Sequence, residues 1–117
     1  MTYDNLPVYK STYDLLLFVF RMGSNFKREY RYTLGENLKN ELINVLLCVY
    51  TANASRQKEP PLQKAREGIV VVKLQLRLLS DLKQISIRPY ALAVEQAESV
   101  SKQLAAWHRS CLQAEKL

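Results

Sequence analysis

The sequence shows no motif that arranges its acidic, nucleophilic or metal-ligating residues for catalysis. His108 is its only histidine. No acidic residue lies four positions away on either side, so no carboxylate can pair with the ring on its own helix. We therefore interpret His108 as a surface or half-buried helix residue beside Trp107.

One polar stripe has helix spacing and deserves comparison with an active site. Its members are Asn37, Asn40, Glu41 and Asn44. No second carboxylate, nucleophile motif or glycine-rich phosphate loop accompanies them, and such a stripe is more typical of a solvated or partner-facing helix surface. We predict a non-enzymatic protein without metal or cofactor. Only turnover that depends on His108 or Glu41 would support an enzymatic function.

The basic residues are the chemically informative group. The chain has 17 Lys and Arg against 11 Asp and Glu, a formal net charge of +6. The excess lies in two segments: residues 21–39 hold five cations and two acids, and residues 56–88 hold eight cations and three acids. Clustered cations favour a polyanionic partner, although a basic balance by itself serves solubility.

Composition limits the fold class. A length of 117 residues suits one domain spanning 1–117 that needs neither disulfides nor metals. Hydrophobic residues make up 48%, with 3 Gly and 4 Pro, which argues against disorder and turn-rich β folds. No apolar run reaches the roughly 18–20 residues of a membrane span, and the start lacks the basic region of a secretory signal. We expect a cytoplasmic protein with two free thiols.

Hydrophobic periodicity predicts four helices. The first runs from about Pro7 to Met22, with Gly23 as a left-handed stop. The second follows a capping box of Thr33 and Glu36 and runs to about residues 53–55. Residues 55–61 are the clearest loop.

The second half of the chain contains the other two helices. The third helix runs from about Leu62 to Leu82, and Pro89 opens the fourth after a short connection at 84–88. Residues 71–79 also alternate apolar with polar, so a strand is the alternative there, but no second strand exists to pair with it. The fold class is all-α, an antiparallel up-down-up-down four-helix bundle.

The bundle separates the two cysteines. A rise of about 1.5 Å per residue places Cys48 roughly 22 Å, and Cys111 roughly 33 Å, from the end at which the second and fourth helices both begin. A disulfide needs α-carbons within about 7 Å, so we predict two unpaired thiols.

The same topology gathers cations. The turn after the first helix and the end of the third helix lie at one end of the bundle, and a basic stripe follows the third helix. Ordinary solvation is the alternative to phosphate contacts and to tyrosine rings stacking on unpaired bases. The candidate nucleic-acid or partner-binding residues are Lys27, Arg28, Arg31, Lys83 and Arg88 at the bundle end, with Tyr30, Tyr32 and Tyr90 interleaved, and Arg66, Lys73 and Arg77 on the stripe.

The first and third helices also carry apolar arcs wider than one bundle core can absorb. Large exposed apolar surfaces on proteins of this kind usually mark a partner surface. We therefore predict a homo-oligomer, either a dimer or a ring.

The order of these features resembles a family of small bacterial four-helix bundle proteins. It comprises proteins encoded in intervening sequences of large-subunit ribosomal RNA genes and the accessory variability determinant (Avd) of diversity-generating retroelements. The resemblance covers nearly the whole chain. The segments that carry it are 13–17, 25–30, 32–38, 50–54 with Arg56, 76–82 and 103–107.

The resemblance is closer to the Avd-like branch. The intervening-sequence branch has Leu-Arg-Arg-Ala and Asn-Ile-Ala-Glu-Gly segments on the second helix, and residues 38–41 and 48–52 do not match them. An Avd-like protein implies a homopentameric barrel of bundles with a basic surface, which binds the reverse transcriptase and its template RNA and supports mutagenic retrohoming. An intervening-sequence-type bundle protein associated with ribosomal RNA, or a protein-only scaffold, is the alternative.

The basic stripe yields a direct test. Charge reversal at Lys73 and Arg77 is expected to leave helicity intact and to weaken binding of a structured RNA, because two phosphate contacts would become repulsive. Circular dichroism and fluorescence anisotropy measure the two effects. Unchanged RNA affinity at normal helicity would remove these residues from the site.

Overall fold

A computed structural model describes residues 2–115 and confirms the all-α four-helix bundle. The long helices are α1 (Pro7–Gly23), α3 (Leu34–Ala54), α4 (Glu59–Asp81) and α5 (Ile87–Glu115). Two short elements were not predicted: a 3-10 turn at Tyr3–Asn5 and the one-turn helix α2 (Arg28–Arg31).

The four long helices occupy the corners of a square. Helix α1 packs on α3 and α5, and α4 packs on the same two helices from the other side. The resulting molecule is elongated, with extents of 51 × 20 × 19 Å. Among the described residues, no helix is both long and apolar enough to cross a membrane.

The core consists of the apolar positions that recur every three or four residues. Leu15 and Val19 of α1, Leu42 of α3, Leu76 of α4 and Leu104 of α5 are each completely buried. Residues 71–79 lie within α4, so the strand alternative is wrong there. Backbone hydrogen bonds within one helix satisfy this segment, whereas a strand would need a partner that the chain lacks.

The predicted capping box at the start of α3 is wrong. The Thr33 hydroxyl donates to the Glu29 carbonyl at 2.6 Å, back toward α2. The Glu36 carboxylate instead lies 3.8 Å from the Lys39 ammonium. Because α2 immediately precedes α3, the Glu29 carbonyl is a local acceptor for the hydroxyl, and in that orientation the hydroxyl oxygen makes no bond to the first amides of α3.

The predicted left-handed stop at Gly23 is also wrong. No glycine of the described chain has a positive φ, and Gly23 is the last residue of α1. The left-handed residue is Lys83, with φ of 63°. Its amide donates to the Ser80 carbonyl at 3.0 Å and the Gln84 amide to the Leu79 carbonyl at 2.9 Å, the paired bonds of a Schellman stop.

Helices α4 and α5 begin slightly earlier than predicted, at Glu59 instead of Leu62 and at Ile87 instead of Pro89. Pro60 and Pro61 therefore occupy the first turn of α4, where their missing amides are not needed.

In the connection between α3 and α4, the Lys58 ammonium donates to the Ala52 carbonyl at 2.7 Å and to the Ser55 carbonyl at 2.8 Å. A cation at that place satisfies the free carbonyls at the end of α3.

Helices α3 and α4 approach each other closely at Gly68. A Cβ atom added there would lie 2.8 Å from Cγ2 of the buried Val45 and 3.3 Å from the Glu41 carboxylate. Valine is stiff at χ1 and cannot turn aside cheaply. The absence of a side chain at Gly68 therefore sets the distance between the two helices.

Replacing Gly68 by alanine is expected to lower the free energy of unfolding by about 1 kcal/mol, because overpacking of about 1–3 kcal/mol outweighs a helix-propensity gain of about 1 kcal/mol. Urea denaturation measures the change. Gly23→Ala is the matched control, since its nearest contact would be an ordinary 3.5 Å to the flexible Lys39 side chain. Equal stability of the two variants would contradict the close approach.

Candidate nucleic-acid interface

The α1–α3 connection and the α4–α5 connection meet at one end of the bundle. The Lys27 amide donates to the Gln84 side-chain oxygen at 2.8 Å and joins the two connections directly. We name this region the basic end and define it as Lys27, Arg28, Arg31, Lys83 and Arg88. The structure thus brings together the five cations that the topology had assigned to one end.

Arg31 differs from the other four because it stabilises its own turn. Its guanidinium donates to the Ser24 carbonyl at 3.0 Å and the Phe26 carbonyl at 3.2 Å. It is half-buried, and its hydrogen bonds to these carbonyls hold the connection between α1 and α3 in shape. We assign it a positioning role at the basic end.

The other four cations are exposed and carry no ion pair among the described side chains. Lys83 and Arg88 border a shallow depression with Ser86, and Ile87 between them is 85% exposed. Lys27 and Arg28 lie on the adjoining connection. These unpaired cations lie at one end of a molecule 51 Å long, so they produce a positive electrostatic potential there. Such a potential attracts anionic partners.

The tyrosines at this end are unequal. Tyr32 is 62% exposed, so its ring is open to stacking. Tyr30 is half-buried, and Tyr90 packs against the core. Of the three tyrosines named from the sequence, only Tyr32 presents a ring well placed for an unpaired base.

The stripe on α4 is already engaged within the chain. The Lys73 ammonium lies 2.7 Å from the Glu98 carboxylate of α5, and this hydrogen bond lowers the pKa of Glu98. Arg77 lies 3.3 Å from Asp81, one turn along α4. The stripe therefore carries less free positive charge than its sequence suggests.

The third member of the stripe, Arg66, contacts the histidine. The Arg66 Nη1 group lies 2.9 Å from His108 Nδ1, and His108 Nε2 lies 3.1 Å from the Glu59 carboxylate. The ring is only 4% exposed, so the interpretation of His108 as a surface or half-buried residue is wrong. Its acid comes from α4 rather than from its own helix.

The two thiols and the polar stripe of α3 do not form a reactive site. Cys48 and Cys111 are unpaired, as predicted, and burial raises the pKa of the Cys48 thiol away from the reactive thiolate. Asn37 and Asn44 are exposed on α3, in agreement with a solvated stripe. Within the described part of the chain, no three His, Cys, Asp or Glu residues lie together as metal ligands would.

Two apolar surfaces remain exposed on different sides of the bundle. The first, which we name the α4 ridge, is formed by Val70, Leu74 and Leu78 and points away from the core, with Leu74 65% exposed. The second, the α1/α3 face, is tied together at one end by the Lys39 ammonium over the Phe20 ring at 4.5 Å. At its other end the Tyr3 ring contacts both Tyr9 and Tyr50. Its exposed members are Tyr13, Leu17, Phe20, Ile43 and Tyr50.

Comparison with known proteins places these features in context. A family model described as bAvd-like matches residues 7–111, which includes α1, α3 and α4, most of α5 and the basic end. No curated protein matches the chain.

Proposed function

We propose that this chain, which belongs to the bAvd-like family, is a non-enzymatic, cytoplasmic accessory protein of a diversity-generating retroelement. It would bind template RNA and the reverse transcriptase, and so support mutagenic retrohoming. The family match supports the Avd-type accessory role. The observation that carries RNA binding is the set of four exposed, unpaired cations at the basic end.

The basic end has the chemistry of a phosphate-binding surface. Exposed Lys and Arg lose little on binding phosphates because they give up no internal ion pair, and the released counterions favour association. The exposed ring of Tyr32 adds a place for an unpaired base to stack. We therefore assign the primary RNA contacts to Lys27, Arg28, Lys83 and Arg88.

The α4 stripe would act as a secondary contact. Lys73 must give up Glu98, and Arg77 must give up Asp81, before either can neutralise a phosphate. The Arg77 pair is fully at the surface, where such pairs contribute little, so Arg77 exchanges more readily than Lys73. The same stripe could instead contact an acidic surface of the reverse transcriptase or of RNA already bound to it.

The apolar surfaces support a closed ring of identical subunits. An isologous dimer covers one patch on each copy, and it would leave either the α4 ridge or the α1/α3 face in water. A head-to-tail contact between the two surfaces covers both, and it generates a ring when the rotation from one subunit to the next closes. A pentamer is the subunit number that the family resemblance implies.

RNA binding is testable through its salt dependence. A structured RNA is expected to bind with a log–log salt slope of several units, because each phosphate contact adds about 0.7–0.9. Lys27→Glu with Arg28→Glu should remove about two contacts from that slope. Fluorescence anisotropy from low to physiological salt measures both the affinity and the slope.

The control is Lys10→Glu with Arg56→Glu, which makes the same charge change at exposed positions near the opposite end. Screening over about 8 Å at physiological salt should make the effect of the control much smaller. An equal loss of RNA affinity in the two double variants would contradict the assignment of the primary RNA contacts to the basic end. No binding by the wild type at low salt would favour the protein-only scaffold.

The Lys83→Gly variant separates binding from stability. It removes one cation of the basic end, so RNA affinity should fall, and it replaces a lysine with a left-handed backbone by glycine, so the melting temperature should rise.

The proposed ring of subunits is tested separately, by the mass of the assembly in solution. Leu74→Glu puts a charge on the α4 ridge and is expected to shift the protein from an oligomer to a 13.6 kDa monomer, because the charge would have to be buried unpaired. Light scattering after gel filtration measures the mass. Ala106→Glu, at an exposed position on α5, is the matched control and should keep the wild-type mass. A Leu74→Glu variant of unchanged mass would exclude the ridge from the contact.

A further inference from the structure

The buried histidine links two charged side chains of α4 through its two ring nitrogens. Glu59 and Arg66 lie seven residues apart, on one face of α4, and His108 reaches them from α5. The Nε2 atom is 3.1 Å from a Glu59 oxygen, and the Nδ1 atom is 2.9 Å from Arg66 Nη1. Both distances are those of hydrogen bonds.

The arginine decides which nitrogen carries the proton. A guanidinium has donors only, so Nδ1 must accept the hydrogen bond from Arg66. The neutral ring then holds its proton on Nε2, which donates to the Glu59 carboxylate. The three residues are mutually satisfied only while the imidazole is neutral.

Protonation of the ring would break one of these two bonds. A second proton on Nδ1 would point at an N–H of Arg66, and two positive groups would face each other at 2.9 Å. The Glu59 bond would strengthen at the same time. Arg66 would have room to move, because a shallow depression lined by Gln63, Glu67 and Ser101 lies beside it.

Glu67 on α4 offers Arg66 an alternative partner, because it lines the same depression and its carboxylate accepts from the Gln63 amide at 3.1 Å. The Arg66 and Glu67 side chains are both exposed, so that pair would be weak and would exchange readily with a phosphate.

The remaining charged groups near the ring offer Arg66 no replacement for the histidine. On α5 itself, Arg109 follows the ring and is exposed. On α1, Tyr9 and Lys10 lie at the same end, as the hydrogen bond of 3.0 Å between Gln103 and Ser11 shows. Between α3 and α4, the Lys58 ammonium is held by the final carbonyls of α3.

We infer that Glu59, His108 and Arg66 form a pH-sensitive latch that holds Arg66 against α5 at neutral pH and releases it as a free cation on acidification. The inference rests on the proposed RNA function, because the released guanidinium would add a phosphate contact on the α4 stripe, about two helical turns from Lys73. Histidine is the side chain whose ordinary titration falls in the range in which such a latch operates. RNA binding by this protein would therefore tighten at mildly acidic pH.

The first measurement reports the latch without RNA. Two-bond proton–nitrogen spectra of the full chain should show the neutral Nε2–H ring at pH 7.5 and the doubly protonated ring at pH 5.5. The guanidinium resonances of Arg66 should change with the same midpoint. A ring that remains neutral at pH 5.5, or an Arg66 signal that does not follow it, would overturn the latch.

The second measurement uses a uridine oligonucleotide, whose bases do not protonate between pH 5.5 and 7.5. The log–log salt slope of the wild type is expected to steepen by about 0.7 on acidification, the equivalent of one single-strand phosphate contact. His108→Asn removes the titrating ring and keeps a side-chain oxygen that can accept from Arg66, so its slope should not change. Arg66→Ala should also lose the pH-dependent gain.

Melting temperatures of all three proteins establish that each variant is folded at both pH values. Equal steepening in the wild type and His108→Asn would overturn the latch as a control of binding. Release of Arg66 in the spectra, without RNA binding at either pH, would overturn the RNA function and support the latch itself.

Discussion

Burial of the Phe26 ring determines where the basic end can form. The ring is 2% exposed, although it lies in the connection between α1 and α3, and it occupies a space bordered by Gly23 and Gly35. A Cβ atom at Gly35 would come within 3.2 Å of the ring. With the ring held there, the adjacent Lys27 amide reaches Gln84 on the other connection. The cations of two distant segments are thereby brought to one surface by an apolar contact.

The distribution of counter-charges then divides the cations into two classes. Lys73 and Arg77 have carboxylate partners. Lys27, Arg28, Lys83 and Arg88 have none among the described side chains. Arg66 belongs to neither class, because its partner, the His108 imidazole, carries no negative charge. A cation that is already paired must exchange one anion for another, which reduces its net gain on binding, whereas an unpaired cation gains the full interaction. The electrostatic character of the bundle is therefore set by pairing as much as by the number of lysines and arginines.

The apolar surfaces impose a separate constraint on the molecule. A four-helix bundle of this size can bury one stripe of each helix, and α1, α3 and α4 each have apolar residues beyond that stripe. The excess lies on the α4 ridge and the α1/α3 face, and neither surface includes the unpaired cations. A surface for self-association and a surface for polyanions can thus exist on one small domain without competing for the same residues.

The amino-acid sequence by itself determined the all-α class, the order and approximate limits of the four helices, and the location of the basic segments. These follow from periodic apolar residues and prolines, whose effects act within one or two turns of the chain. Tertiary structure decided the rest. Thr33 bonds to Glu29 instead of capping α3, and the left-handed stop lies at Lys83 instead of Gly23. His108 finds Glu59 and Arg66 across a helix interface, which spacing along one helix cannot reveal. Side-chain partners in a bundle depend on how the helices rotate against each other, and that rotation is set by the packing of all four helices together.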